Sequence, residues 1–246
     1  MMNPPSVETQ LRLRLFALSI SLWLLFAVTP VSGELEQKGS GLAPIEVLNG
    51  KTEMVTYRGR RAVHLVHLPS QPGADDAIIA ILRGSDFTNG TIEADVAGAP
   101  RSDAPSDSRG FIGISFHVQP HAFRLETIYL RPTNGRSDDQ GRRNHSVQYS
   151  SDPDFPWYRL RQENPGVYES YVDLEAGAWT RMKIVVSGTV ARLYVNGASQ
   201  PCLIVKDLKM GETSGKIAFW AHWTTDAYFS NLRVKAGKSP AVTPSE

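Results

Sequence analysis

Apolar residues recur at every second position in short runs divided by turn residues, and no stretch between residues 44 and 235 keeps a helical period. Ile92, Ala94 and Val96 alternate with Thr91, Glu93 and Asp95, and Met182, Ile184 and Val186 alternate with Arg181, Lys183 and Val185. Each pattern predicts a strand with one face on a core and the other toward solvent. Residues 77–82 are apolar throughout, which suits a strand covered on both faces. Further strands are predicted at 62–68, 111–118, 123–131, 146–150, 190–195, 202–205, 216–223 and 228–234. Asn196-Gly197, the dipeptide best suited to the positive φ angles of a tight hairpin, follows the strand at 190–195. Many antiparallel strands with little helix between them predict an all-β fold, a two-sheet antiparallel β-sandwich (jelly roll).

The ends of the chain break the pattern. Arg12 and Arg14 precede an apolar run over 15–28, and small residues lead to Gly33, so residues 1–33 read as a signal peptide. The run is roughly fourteen residues, short of the ~20 that a spanning helix needs. Residues 34–43 then read as a linker, 44–235 as one sandwich domain and 236–246 as a disordered tail. The expected location is secreted or periplasmic, with no membrane association after cleavage. With 26 basic and 25 acidic residues the net charge is +1, which excludes the broad field that draws nucleic acid. Cys202 is the only cysteine, so no intrachain disulfide can form; its apolar surroundings predict a buried thiol.

The stretch 109–161 carries most of the chemistry. In 111–118, Ile112, Ile114, Phe116 and Val118 claim the core and leave His117 on the open face. In 123–131 the two-residue period breaks between Leu125 and Ile128. A bulge at Glu126-Thr127 would turn Arg124, Glu126, Tyr129 and Arg131 onto the face of His117. With a regular strand, Tyr129 falls opposite Glu126 instead. The period of 216–223 leaves Trp220 and His222 open, and that of 146–150 leaves Gln148 open. A Trp beside His and Gln makes a sugar platform, because an aromatic face packs on the C–H face of a pyranose while polar neighbours read hydroxyls. The loop 155–161, Phe-Pro-Trp-Tyr-Arg-Leu-Arg, adds Trp157 and Arg159. The candidate ligand-binding set is therefore Arg124, Tyr129, Arg131, Gln148, Trp157, Arg159, Trp220 and His222. Glu126 and His117 are the acid–base candidates if a bond is cleaved. Asp138, Asp139, Asp152 and Asp154 lie in oxygen-rich loops that could supply Ca2+ ligands, although without EF-hand spacing turns capped by Asp and Asn are the favoured explanation.

Three segments carry a family resemblance: Gly90-Thr-Ile-Glu-Ala-Asp-Val96; Trp179 with the following KIVVSGTVARLYVNG; and Gly215-Lys-Ile-Ala-Phe-Trp220 with Tyr228-Phe-Ser-Asn-Leu-Arg-Val234. The chain resembles the concanavalin-A-like lectins and glucanases, laminin-G-like modules included. The resemblance implies two curved sheets with ligands on the concave face or its rim loops. It leads to a secreted carbohydrate-binding protein as the first expectation. The alternatives are a glycoside-cleaving enzyme similar to keto-disaccharide hydrolase-like domains, or a laminin-G-like protein-interaction module. The paired-Glu strand signature of the glucanases is absent from the sequence.

Overall fold

A computed structural model describes residues 34–35, 44–68, 77–122 and 124–237. The expected signal peptide, residues 36–43 of the linker and the tail from 238 onward lie outside the described residues.

In chain order the strands are β1 (Glu34–Leu35), β2 (Pro44–Leu48), β3 (Gly50–Tyr57), β4 (Arg60–His67), β5 (Ala77–Leu82), β6 (Gly90–Pro100), β7 (Ile112–Val118) and β8 (Leu125–Leu130). They continue as β9 (Val147–Asp152), β10 (Glu169–Ser170), β11 (Thr180–Ser187), β12 (Val190–Val195), β13 (Leu203–Val205), β14 (Lys216–His222) and β15 (Thr225–Ala236). Two short helices, α1 (Gln140–Asn144) and α2 (Trp157–Glu163), interrupt them. One sheet has the order β13-β12-β11-β6-β15-β4-β3, with β1 added to β15 as its eighth strand; the other, of seven strands, runs β10-β9-β8-β7-β14-β5-β2. Every pairing is antiparallel, so the architecture is the expected two-sheet sandwich.

The two-residue period decides what fills the space between the sheets. Ile92, Ala94, Val96, Met182, Ile184 and Val186 enter the core from the eight-stranded sheet, and Ile112, Ile114, Phe116, Ile128 and Leu130 enter it from the other. Phe219 of β14 stacks on Phe229 of β15 with ring centroids 4.2 Å apart, which joins the two layers. Each such buried ring contributes about 1.5–3 kcal/mol.

Several expectations are corrected here. β2 and β3 were not predicted; β3 is an edge strand with no fully buried residue and little apolar alternation in its sequence. Its hairpin with β4 turns at Arg58-Gly59, both at positive φ. Glu34 and Leu35, expected in a linker, pair with Lys235 and Val234, and β15 runs to Ala236, inside the expected tail. The aromatic stretch expected as a loop at 155–161 contains α2. Pro156 stands before its first turn, Arg159 pairs with Glu163 one turn on, and Leu160 is its one buried residue.

The bulge that decides the site lies on a neighbouring strand. β8 pairs residue for residue with β7 and β9 from Glu126 to Leu130, so it is regular at Glu126-Thr127. The register shift falls in β7, where Lys216 faces Val118 but Ala218 faces Ser115, leaving Phe116 and His117 opposite Ile217. His117 takes φ 52°, a left-handed conformation that His tolerates better than most residues. A Cβ at Gly215 would stand 2.3 Å from the carbonyl carbon of His117, so only glycine lets the strands approach around the bulge. His117 therefore turns inward with Phe116, against the alternation that placed it on the open face.

Candidate functional site

Register fixes the outer face of the seven-stranded sheet. One row of cross-strand neighbours runs Ile79, Trp220, Gly113, Tyr129, Gln148, Glu169 across β5, β14, β7, β8, β9 and β10. Gly113 is the gap in that row. A Cβ there would meet Tyr129 Cβ at 2.5 Å, and its absence lets the rings of Trp220 and Tyr129 approach to 4.9 Å. The aromatic contacts continue from Tyr129 to Phe111 (5.7 Å), Phe111 to His222 (5.5 Å) and His222 to Trp223 (5.7 Å). A band of rings thus crosses the sheet.

Arg131 lies beside this band, 2% exposed. Its Nη1 donates to the His145 carbonyl at 2.9 Å, and its Nη2 donates to Tyr129 Oη at 3.1 Å and Gln148 Oε1 at 3.2 Å. Its guanidinium also faces the rings of Phe111, Tyr129 and Trp157 at 5.4, 5.2 and 5.9 Å. Trp157, 42% exposed, stands at the start of α2 and takes the Arg161 guanidinium at 4.8 Å as well. Arg161 is clamped on Glu169 through Nε (2.6 Å) and Nη2 (2.9 Å), and His145 pairs with the same carboxylate. Burial, followed by the fields of Arg161 and Arg131, outweighs Glu169 and holds His145 below its usual range. Burial also pushes the Tyr129 phenol up, so it is a neutral hydroxyl at physiological pH.

Five of the expected ligand residues, Tyr129, Arg131, Gln148, Trp220 and His222, share this face, and Trp157 stands at its rim. Loss of the predicted bulge does not separate Tyr129 and Arg131 from Trp220, because it is His117 that changes sides. Tyr129, Arg131 and Gln148 are nonetheless buried, and form the floor of the site beneath half-buried Phe111, Trp220 and His222 and exposed Trp157.

Arg124 and Arg159 fall elsewhere. Arg124 pairs with Asp154, and Arg159 donates to the Asp154 carbonyl and covers the Phe155 ring. They belong to the surroundings of a separate cleft of about 310 Å³ lined by Gln119, Arg124, Ser151, Asp154, Phe155 and Lys209, among others.

Glu126 and His117, the acid–base candidates, are both 0% exposed and face the interior. His117 Nε2 donates to the Thr88 carbonyl at 2.9 Å, while Nδ1 and Glu126 Oε2 share a proton across 2.7 Å. Glu126 Oε1 accepts from the Tyr149 hydroxyl at 2.8 Å and the Met210 N–H at 3.2 Å; the Tyr149 oxygen in turn accepts from the Lys209 N–H at 2.9 Å. Each polar atom has a partner within the protein, so the network ties three strands to the 206–215 connection and presents nothing to a ligand.

The Ca2+ expectation meets a different arrangement. Asp139 Oδ1 caps α1 at the Arg142 N–H, Asp152 accepts from Ser150, and Asp154 pairs with Arg124. Among the described residues no three His, Cys, Asp or Glu gather as a metal site. Burial pushes the Cys202 thiol up to about 11, so it is no nucleophile.

Sequence reasoning gave no site role to Arg109, Phe111 or the gap at Gly113, and placed Arg161 in the aromatic loop without pairing it to Glu169. Gly113 was legible as a bare position flanked by core isoleucines; the others required knowledge of which loops return to this face.

No family model and no curated protein matches the chain. Among solved structures it is similar to the carbohydrate-binding module CBM66 from Bacillus subtilis, at 12% identity and TM-score 0.53, covering 79% of this chain and 97% of that one. It is also similar to a Bacillus subtilis protein of unknown function with a galectin-like fold, at 13% identity and TM-score 0.52, covering 79% and 90%. The fold is thus the concanavalin-A-like and galectin-like jelly roll. No helix among the described residues is long and apolar enough to cross a membrane.

Proposed function

We propose that the chain is an exported carbohydrate-binding protein whose ligand lies on the outer face of the seven-stranded sheet, the face taken to be concave. The observation that carries this reading is the band from Trp157 past Tyr129 and Trp220 to His222, with hydroxyl, amide and guanidinium groups held beside the rings. A pyranose offers C–H faces that pack on such rings and hydroxyls that the polar neighbours can read. The fold shared with a carbohydrate-binding module supports the reading at the level of architecture. The sealed state of Glu126 and His117 weighs against glycoside cleavage by that pair. A glycan array on the purified chain, followed by calorimetry on the best binder, tests the proposal. Trp157→Ala should weaken binding about tenfold, close to 1.4 kcal/mol, with an unchanged Tm. Absence of binding across the array, or full affinity in that variant, would remove the site.

A further inference from the structure

The charge on this face is not balanced. Arg161 is answered by Glu169, but Arg131 meets only neutral acceptors, and its Nε has no hydrogen-bond partner although the side chain is 2% exposed. A buried cation ordinarily has a carboxylate partner, because leaving water without one is costly. Among the described residues the Arg142 side chain reaches only the Asn134 side-chain oxygen, at 3.4 Å. Arg109, half-buried at the start of the same stretch, makes no side-chain hydrogen bond or ion pair with any described residue, leaving its forked donors for a ligand.

Four guanidiniums thus gather around one engaged carboxylate. Their proximity is geometric: Arg142 reaches Asn134, whose amide shares the His145 carbonyl with Arg131, Arg131 and Arg161 both face the Trp157 ring, and the Arg109 carbonyl accepts from the Thr133 N–H at 3.4 Å. Burial and then Arg131, Arg142 and Arg161 hold Arg109 below its usual range, against Asp107. The remaining carboxyl near the aromatic floor, Asp152, is pushed up by burial, which disfavours its charged form. The chain as a whole carries a formal charge of only +1, so this concentration is a local feature.

We infer that the sugar chain bound on this face is acidic, its carboxylate or sulfate group taken by the guanidinium of Arg109 in the field of Arg131 and Arg142. This inference rests on the glycan reading above and narrows it. A planar guanidinium offers two parallel N–H groups to either kind of oxyanion, and the rings beside it take the apolar face of the sugar. Neutral sugars lack the charged contact to Arg109 and so bind more weakly.

Calorimetry with matched pairs tests it: oligogalacturonate against its methyl ester, and dextran sulfate oligomers against plain dextran oligomers. At least one acidic member should bind about tenfold or more tightly than its neutral counterpart, and raised salt should shrink the difference. Which pair shows the gap separates carboxylate from sulfate. Arg109→Ala should abolish the gap, while Arg233→Ala, an exposed residue on β15 of the other sheet, should leave it intact. Equal affinity within both pairs, no binding of either acidic member at millimolar concentration, or a gap that survives Arg109→Ala would overturn the inference. Trp157-dependent binding of neutral glycans without acidic preference would overturn it while sparing the glycan reading. Acidic binding that needs Arg109 but ignores Trp157→Ala would support the anion site and remove the aromatic platform.

Discussion

The two faces of β8 carry similar residue types and reach opposite chemical states. Inward, Glu126 joins His117 and Tyr149 in a network where each polar atom has a partner and no atom is exposed. Outward, Tyr129 and Arg131 lie among rings, with a guanidinium that neutral acceptors only partly satisfy. Glu, His, Tyr and Arg within fifteen positions look alike as a sequence. Satisfaction of their hydrogen bonds separates a clasp that holds strands together from a surface with capacity left for a ligand.

The inner network should give the largest response. Glu126→Gln replaces the carboxyl group that holds His117, Tyr149 and the Met210 N–H at once and should cost about 2–5 kcal/mol, the scale for disrupting a buried polar network. Urea denaturation measures it, and a loss below 1 kcal/mol would mean that the network is dispensable. Glycan affinity of the folded fraction should stay unchanged. Tyr149→Phe should cost less, about 1–3 kcal/mol, because it strips one donor from Glu126 Oε1 and leaves the Lys209 N–H without its acceptor.

This contrast also marks what the sequence revealed. The alternation in β6, β11 and β14 placed the core residues and the open Trp220 correctly, because one face of each strand is buried and slippage by one residue would expose all of it. It misplaced His117. A bulge leaves a two-residue ambiguity, and the apolar spacing drew attention to Glu126-Thr127 when the constraint lay at Gly215, far along the chain and pressed against the His117 backbone. The charge imbalance was equally hidden. Arg109, Arg142 and Arg161 come from three connections, and only folding reveals that Glu169 is engaged while the others have no carboxylate partner.

On the outer face the response should appear in binding first. Trp220→Ala removes the ring that meets Tyr129 across the gap at Gly113 and should weaken glycan binding by more than about 1 kcal/mol. Some stability is lost too, since the ring is half-buried, so affinity must be compared at matched folded fraction. The corresponding Arg131→Ala change should mainly unfold the protein, because Arg131 supports the floor and is not itself open to a ligand. A variant with intact Tm and lost binding at position 131 would contradict that division of roles.

The smallest effect belongs to Asp152, where the outer face meets its own solvent boundary. Burial raises its folded pKa above the unfolded value, outweighing the hydrogen bond from Ser150. The folded protein therefore holds the proton more tightly, and stability falls as pH rises from the ordinary carboxylate range through the folded value. Asp152→Asn removes that loss. The variant should be more stable than the parent at neutral pH, and the two should converge once acidification protonates Asp152 in both states. Urea midpoints at neutral and acidic pH give the comparison. A variant destabilised at neutral pH would show that Asp152 works as a charged partner, and would place a carboxylate beside the guanidiniums described as lacking one.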